Sequence, residues 1–288
     1  MKRILIVGCG DIALRTLPVL VHRYRVYALV RNPKYCAGLR NLGAIPIVAD
    51  LDDRTSLVRL SGLADGVLHF APPPANGNTD TRTRNLLSVL SQGTLPSCLV
   101  YISTSGVYGD CEGVWVRETR PLNAQSPRAQ RRVDAEQQIR DWARRNEVQV
   151  SILRVPGIYA ADRLPVARLR AGSPAIVAGE DGYSNHIHAD DLARISVAAL
   201  YRAKPCRVYH ATDDDEMKMG DYFDLVADAY GLPHAPRMTR CEVQRAVSPM
   251  MWSFMNESRR LDNQRMKREL KVKLAYPTVA DFLEQMRR

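Results

Sequence analysis

A chain of 288 residues suits one large domain or two smaller ones, and an apolar fraction of 45% can bury a full core. The formal charge of +10 comes mostly from dispersed arginines, with modest clusters at residues 128–132 and 259–268 and no nucleic-acid-binding motif beside them, so a basic surface facing an anionic small molecule is favoured over nucleic acid. No apolar run approaches the ~20 residues of a membrane span, and the six cysteines (Cys9, Cys36, Cys98, Cys111, Cys206, Cys241) show no metal spacing, which predicts free thiols in a reducing cytoplasm, no metal and no membrane partner.

The N-terminal Met-Lys-Arg and the apolar residues after it faintly resemble a signal peptide. Gly8, Gly10, Asp11 and Arg15 interrupt that run early, so the segment reads as mature structure. Ile4, Leu5, Ile6 and Val7 read as a short strand buried on both faces. The turn Gly8-Cys9-Gly10-Asp11-Ile12-Ala13 follows and opens a helix predicted to run from Asp11 to about Tyr24. Gly8 can take a tight turn, Gly10 leaves room for a pyrophosphate, and Ala13 lets helix and strand pack closely. The phosphates would sit on the first N–H groups of the helix. Cys9 reads as a small residue that the turn tolerates, with a redox-sensitive thiol as the alternative. A second strand at 25–30 completes a βαβ unit. At its end Arg31 would pair with a ribose 2′-phosphate and favour NADP, with NAD as the alternative; a plain surface arginine is the competing reading.

Further strands are predicted at 44–49, 66–71 and 98–102, and helices at 55–63 and 79–92. Asp50 and Leu51 follow the third strand and could approach the adenine ring, although a helix cap is the simpler role for the aspartates there. Ala71 leads into Pro72-Pro73-Pro74, a rigid loop at the strand end where open α/β sheets bind ligands.

The fifth strand enters Ser103-Thr104-Ser105-Gly106-Val107-Tyr108-Gly109. Together with the glycine turn, this stretch resembles the extended short-chain dehydrogenase/reductase superfamily, the NAD-dependent epimerase/dehydratase group. Later segments agree: Leu153-Arg154-Val155-Pro156-Gly157-Ile158-Tyr159, Asn185-His186-Ile187-His188-Ala189-Asp190-Asp191, and Tyr276-Pro277 near the end, the last resembling one atypical branch. The resemblance implies that Thr104 is the catalytic hydroxyl, that Ser103, Val155, Pro156 and Gly157 line the cofactor, and that Ser105, Tyr183, Asn185 and His186 face the substrate.

The resemblance also implies a Tyr-x-x-x-Lys pair on the next helix, the tyrosine as acid or base and the lysine on the nicotinamide ribose. Counting back from Glu136, Arg128 holds the tyrosine position and Arg132 the lysine position. Arginine is a poor proton shuttle, so Arg128 would bind an anionic group, while Arg132 could still hold the ribose; a solvated basic helix face is the competing reading for both. The Asp and Glu that follow the Ser/Thr in sugar dehydratases are Ser105 and Gly106 here. Tyr108, Tyr183, His186 and His188 remain candidate acids, each with a structural role as the alternative.

After a sixth strand at 148–153, residues 162–182 read as a loop and short helix over a substrate. A helix at 188–202, a last strand at 207–211, an acidic turn at 212–216 and a helix at 218–230 follow. The apolar run Met250-Met251-Trp252-Ser253-Phe254-Met255 would pack the core of a small lobe, with pocket lining or a dimer contact as alternatives. Residues 257–271 read as a basic helix.

The whole predicts a Rossmann-type doubly wound parallel sheet at 1–158, completed by about 184–212. A small, mostly helical substrate lobe would comprise 159–183 and 213–288. The expected function is an NAD(P)-binding oxidoreductase or epimerase of the atypical short-chain dehydrogenase/reductase type, acting on a small molecule, a sugar or an anionic metabolite, as a monomer or homodimer. The alternative is a non-catalytic NADP-binding redox sensor.

Overall fold

The computed structural model describes residues 2–287. Seven parallel strands form its main sheet: β1 (Arg3–Val7), β2 (Arg25–Val30), β3 (Ile45–Val48), β4 (Gly66–His69), β5 (Cys98–Thr104), β6 (Gln149–Val155) and β7 (Arg207–His210). Their order is β7-β6-β5-β4-β1-β2-β3. The chain therefore builds outward from β1 in one direction, then returns and builds outward through β4 in the other. The crevice at this reversal, beyond the carboxyl ends of β1 and β4, is where such sheets bind ligands.

β1 is apolar throughout because both of its faces are covered. Ile4 and Ile6 point into one core with helices α1 (Asp11–Leu20) and α6 (Ala189–Arg202). Leu5 and Val7 point into the other, against α3 (Thr81–Leu90) and α4 (Pro127–Asn146). Burying a leucine or isoleucine side chain contributes roughly 1.5–3 kcal/mol, so both faces of the strand stabilise the sheet. The short α2 (Cys36–Asn41) packs on the first of these cores through Cys36 and Leu39.

The carboxyl half adds α5 (Val166–Arg170), α7 (Met219–Tyr230), α8 (Arg240–Ala246), α9 (Pro249–Met255), α10 (Gln264–Leu270) and α11 (Val279–Arg287), with short two-stranded pairs between them. Leu169, Phe223, Val226 and Phe282 form the centre of a separate small core.

Several expectations change. The helix after the glycine turn stops at Leu20 rather than Tyr24, four residues early, with Pro18 in its last turn. Residues 54–60 form a 3₁₀ helix rather than an α-helix. The predicted basic helix at 257–271 exists only as α10; residues 260–261 instead pair as a strand with Trp115–Val116. Met266, Leu270 and Leu274 are buried in the core beneath the main sheet, so this stretch belongs with the sheet and not with the small lobe. Within the acidic turn Asp213 is buried, and Asp215 accepts the Val279 N–H at 2.6 Å, fixing the start of α11.

Candidate active site

The glycine turn has the shape required of a phosphate cradle. Gly8 sits at φ +93°, and a Cβ there would lie 2.5 Å from the Ala71 backbone nitrogen, so only glycine fits. At Gly10 a Cβ would meet nothing within 4 Å, which leaves the approach to the turn open. No side chain caps the first N–H groups of α1, so these donors and the positive end of the helix are available to an anion. Ile12 and Ala13 turn their side chains into the core and present only backbone. The Asp11 carboxylate is neutralised by Arg15 at 2.7 Å and Arg163 at 3.3 Å. Burial pushes the Cys9 thiol up to about 12, so it stays protonated and unreactive at neutral pH.

Arg31 is exposed at the end of β2. Asp50 and Leu51 are engaged locally: an Asp50 carboxylate oxygen accepts the Asp52 N–H, and the Leu51 carbonyl accepts the Asn85 amide. Arg82 grips Asp52 through two bonds of 2.9 and 2.7 Å and donates to the Pro72 and Pro73 carbonyls, fastening the proline loop to this turn. Sequence reasoning passed over Arg82.

The proline loop leads from the glycine turn into a cleft of about 450 Å³. Its walls come from Pro72–Ala75, the end of β5 (Ile102–Gly106), α4 (Arg128, Arg131, Arg132), the Val155–Ile158 segment, Tyr183–His186, and Phe254, Glu257 and Arg259 from the carboxyl half. The structure thus brings together Ser103, Thr104, Ser105, Arg128, Arg132, Val155, Pro156, Gly157, Tyr183, Asn185 and His186. It adds Arg131, Ser184, Phe254, Glu257 and Arg259, which sequence reasoning did not name as site residues. The apolar run was the only signal for Phe254. Half of that run packs inward, since Met255, Met251 and Trp252 share a core with Ile176 and Val243, while Met250 is exposed and Phe254 stays 44% exposed at the cleft.

Thr104 ends β5 and its hydroxyl oxygen accepts the Gly106 N–H at 3.2 Å. That bond places the oxygen at the cleft and leaves the O–H free to donate. Arg132 donates to the Ile102 carbonyl at 2.6 Å and to the Tyr101 hydroxyl at 2.9 Å. Arg131 donates to the Gly77 carbonyl, and Arg259 to the Gly109 carbonyl and to Glu257. Arg128 places its guanidinium 4.1 Å from the Phe254 ring centre and makes no hydrogen bond or ion pair among the described residues.

Other candidates have structural roles. Tyr108 is buried away from the cleft; its hydroxyl bonds to Arg154 and His210, each at 2.6 Å, and it is not available as a catalytic acid. The His188 ring accepts the Asp190 N–H and caps α6. Asn185 uses both arms of its amide on the backbone of Arg259 and Leu261 and so holds the cleft wall in place. Burial lowers His186 to about 4, which keeps the ring neutral at pH 7. The Oγ of Ser103 and of Ser184, Nδ1 of His186 and Nε of Arg259 are buried in the cleft wall with no hydrogen-bond partner among the described residues. Such groups are costly unless a ligand or water satisfies them.

A second, larger hollow of about 960 Å³ lies between residues 115–121 and the acidic turn and holds none of these residues. Among the described residues, all six cysteines are free, no cluster of His, Cys, Asp or Glu could hold a metal ion, and no helix is long and apolar enough to cross a membrane.

Known proteins resemble this architecture throughout. The human dTDP-D-glucose 4,6-dehydratase is 25% identical over 248 residues, covering 76% of this chain and 71% of that protein. A conserved protein of unknown function from Silicibacter pomeroyi superposes with a TM-score of 0.79 at 28% identity, over 99% of this chain and 98% of the other. A double mutant of DesIV, the dTDP-glucose 4,6-dehydratase of Streptomyces venezuelae, solved with NAD bound, also gives 0.79, at 20% identity, over 100% and 97% of the two chains. Residues 4–211 match the model of the NAD dependent epimerase/dehydratase family, from the first buried strand through the last strand of the sheet, and the chain belongs to that family.

Proposed function

We propose that this chain is an NADP-dependent oxidoreductase or epimerase-like enzyme that transfers hydride to or from a small molecule held in the 450 Å³ cleft. The observation that carries the reading is Thr104: its hydroxyl is oriented by the Gly106 N–H and faces a cleft that the proline loop joins to the glycine turn. The residues present fit a dinucleotide. The open Gly10 face and uncapped α1 would hold the pyrophosphate, Arg31 the 2′-phosphate, and Arg132 the ribose hydroxyls through N–H groups not used on Ile102 and Tyr101. When bound, the dinucleotide supplies or accepts the hydride at its nicotinamide ring. Thr104 would donate to the substrate oxygen as charge develops on it.

The proton has a different origin from the family's usual one. Nowhere in the chain does a lysine follow a tyrosine by four residues. Arg128, at the tyrosine position, stays protonated, and His186 stays neutral. Water in the open cleft, relayed through the Thr104 hydroxyl, would supply the proton.

The test is a titration with NADPH and NADH on the wild type, Arg31→Ala and Thr104→Ala, followed by labelled-hydride transfer across a carbonyl panel. Arg31→Ala should weaken NADPH selectively. Thr104→Ala should keep nucleotide affinity and lose turnover about 100-fold or more, the usual cost of removing one oxyanion donor. Full turnover in Thr104→Ala, or no nucleotide binding by the wild type, overturns the reading. A second reading, a non-catalytic NADP sensor, is favoured by the arginine at the tyrosine position, and tight NADPH binding with no hydride transfer on any substrate would establish it.

A further inference from the structure

We infer that the substrate of this cleft is a small organic acid whose carboxylate is held by Arg128 against the face of Phe254. The inference rests on the reading of the cleft as the substrate site and names what enters it. Four arginines line the cleft against a single carboxylate, Glu257, and that carboxylate is paired with Arg259 at 2.7 Å. Three of the four are anchored: Arg131 on Gly77, Arg132 on Ile102 and Tyr101, Arg259 on Gly109 and Glu257. Arg128 is held by an aromatic face at 4.1 Å and by no hydrogen bond. A guanidinium has five N–H donors in a planar fork that fits a carboxylate with two parallel bonds, and contact with a ring fixes its position without using those donors.

Two further observations point the same way. Phe254 is kept 44% exposed although its neighbours on α9, Met251, Trp252 and Met255, turn into the core. Its position under Arg128 explains why an aromatic ring stays at the surface. The cleft wall also carries buried, unpartnered polar atoms, the Oγ of Ser103 and of Ser184 and Nε of Arg259, suited to a compact polar ligand. About 450 Å³ lies in the lower half of the ~300–1,000 Å³ range of small-molecule pockets, which suits a compact acid beside a nicotinamide end.

The deciding experiment is calorimetric titration of oxamate, inorganic phosphate and UDP-glucose, each with saturating NADPH and again without nucleotide. It uses the wild type, Arg128→Gln, Arg128→Lys and Phe254→Ala. Oxamate should bind the wild type and lose about tenfold or more in Arg128→Gln, as expected for a charge-assisted bidentate pair. Arg128→Lys, a point charge, should recover only part of this, and Phe254→Ala should lose roughly two- to fivefold. NADPH affinity should be the same in all four proteins. Oxamate binding that is absent from the wild type or unchanged in Arg128→Gln overturns the inference, as does tighter binding of phosphate or UDP-glucose that depends on Arg128. Failure of the wild type to bind NADPH defeats the parent reading instead, and the nucleotide-free titrations then decide the role of Arg128 by themselves.

Discussion

The ion pair between Glu136 and Arg154 gives the sharpest test of what holds the site's frame together. Glu136 comes from the middle of α4 and Arg154 from the end of β6. They form two parallel bonds of 3.0 and 2.7 Å with side chains 2% and 3% exposed. Arg154 continues to the Tyr108 hydroxyl, which meets His210, whose other ring nitrogen lies 2.9 Å from the Asp262 carbonyl. One buried chain of contacts therefore links α4, two strands of the sheet and the carboxyl half. In Glu136→Gln the volume is kept but Arg154 retains a buried charge without its counter-ion. Breaking such a pair from one side costs ~3–5 kcal/mol. At ~2.1 cal/mol/K per residue the unfolding entropy of this chain is about 0.6 kcal/mol/K, so Tm should fall by about 5–8 °C.

Replacing both partners with methionine should restore most of that loss, because no uncompensated charge remains. The assay is thermal unfolding at pH 7 for wild type, Glu136→Gln and the Glu136→Met/Arg154→Met double variant. A Glu136→Gln Tm within about 2 °C of wild type, or a double variant less stable than the single, would refute the argument that charge burial, and not packing, is what this pair contributes.

Two further outcomes follow from local geometry. Gly8→Ala places a Cβ 2.5 Å from the Ala71 nitrogen at a φ of +93°, so the turn must shift; NADPH affinity measured by fluorescence titration should fall at least tenfold, and an unchanged affinity in folded protein would contradict the cradle. Glu269 is held down to about 2, from an ordinary 4.5, first by its bond to Arg207 and then by the Tyr209 hydroxyl. A carboxylate lowered on folding stabilises above its unfolded value and loses that contribution as pH falls through the folded one. Glu269→Gln should thus be less stable than wild type at pH 7, and the gap should close between about pH 4.5 and 2; a gap of constant size across that window would rule out the pair as its source.

The parts of this molecule that were legible in the sequence are those whose cause is local. The strand at Ile4–Val7 is read from four consecutive apolar residues because both of its faces are covered, and the glycine turn because a positive φ and a close backbone contact admit no side chain. The family segments were legible as text, but their side chains act differently from what their nearness to the site suggests. Tyr108, Arg154 and Glu136 form the buried frame, and His188 caps a helix. Asp191, fully buried, receives the Ala275 and Tyr276 N–H groups and so fixes the Tyr-Pro segment. What was not legible depends on distant chain meeting distant chain. Phe254 reaches Arg128 across 126 positions of sequence, and Asn185 clamps Arg259 and Leu261, with no periodicity to announce either. The same distance explains the division of labour in the cleft. Thr104 ends a strand of the sheet and Arg132 lies on α4, which packs against that sheet, so both have rigid supports. Phe254 and Arg259 arrive from the carboxyl half on short segments that can vary without disturbing the sheet. The half that carries the glycine turn was therefore the readable half, and on the reading proposed above the identity of the substrate rests on where Arg128 meets the part of the chain that was not.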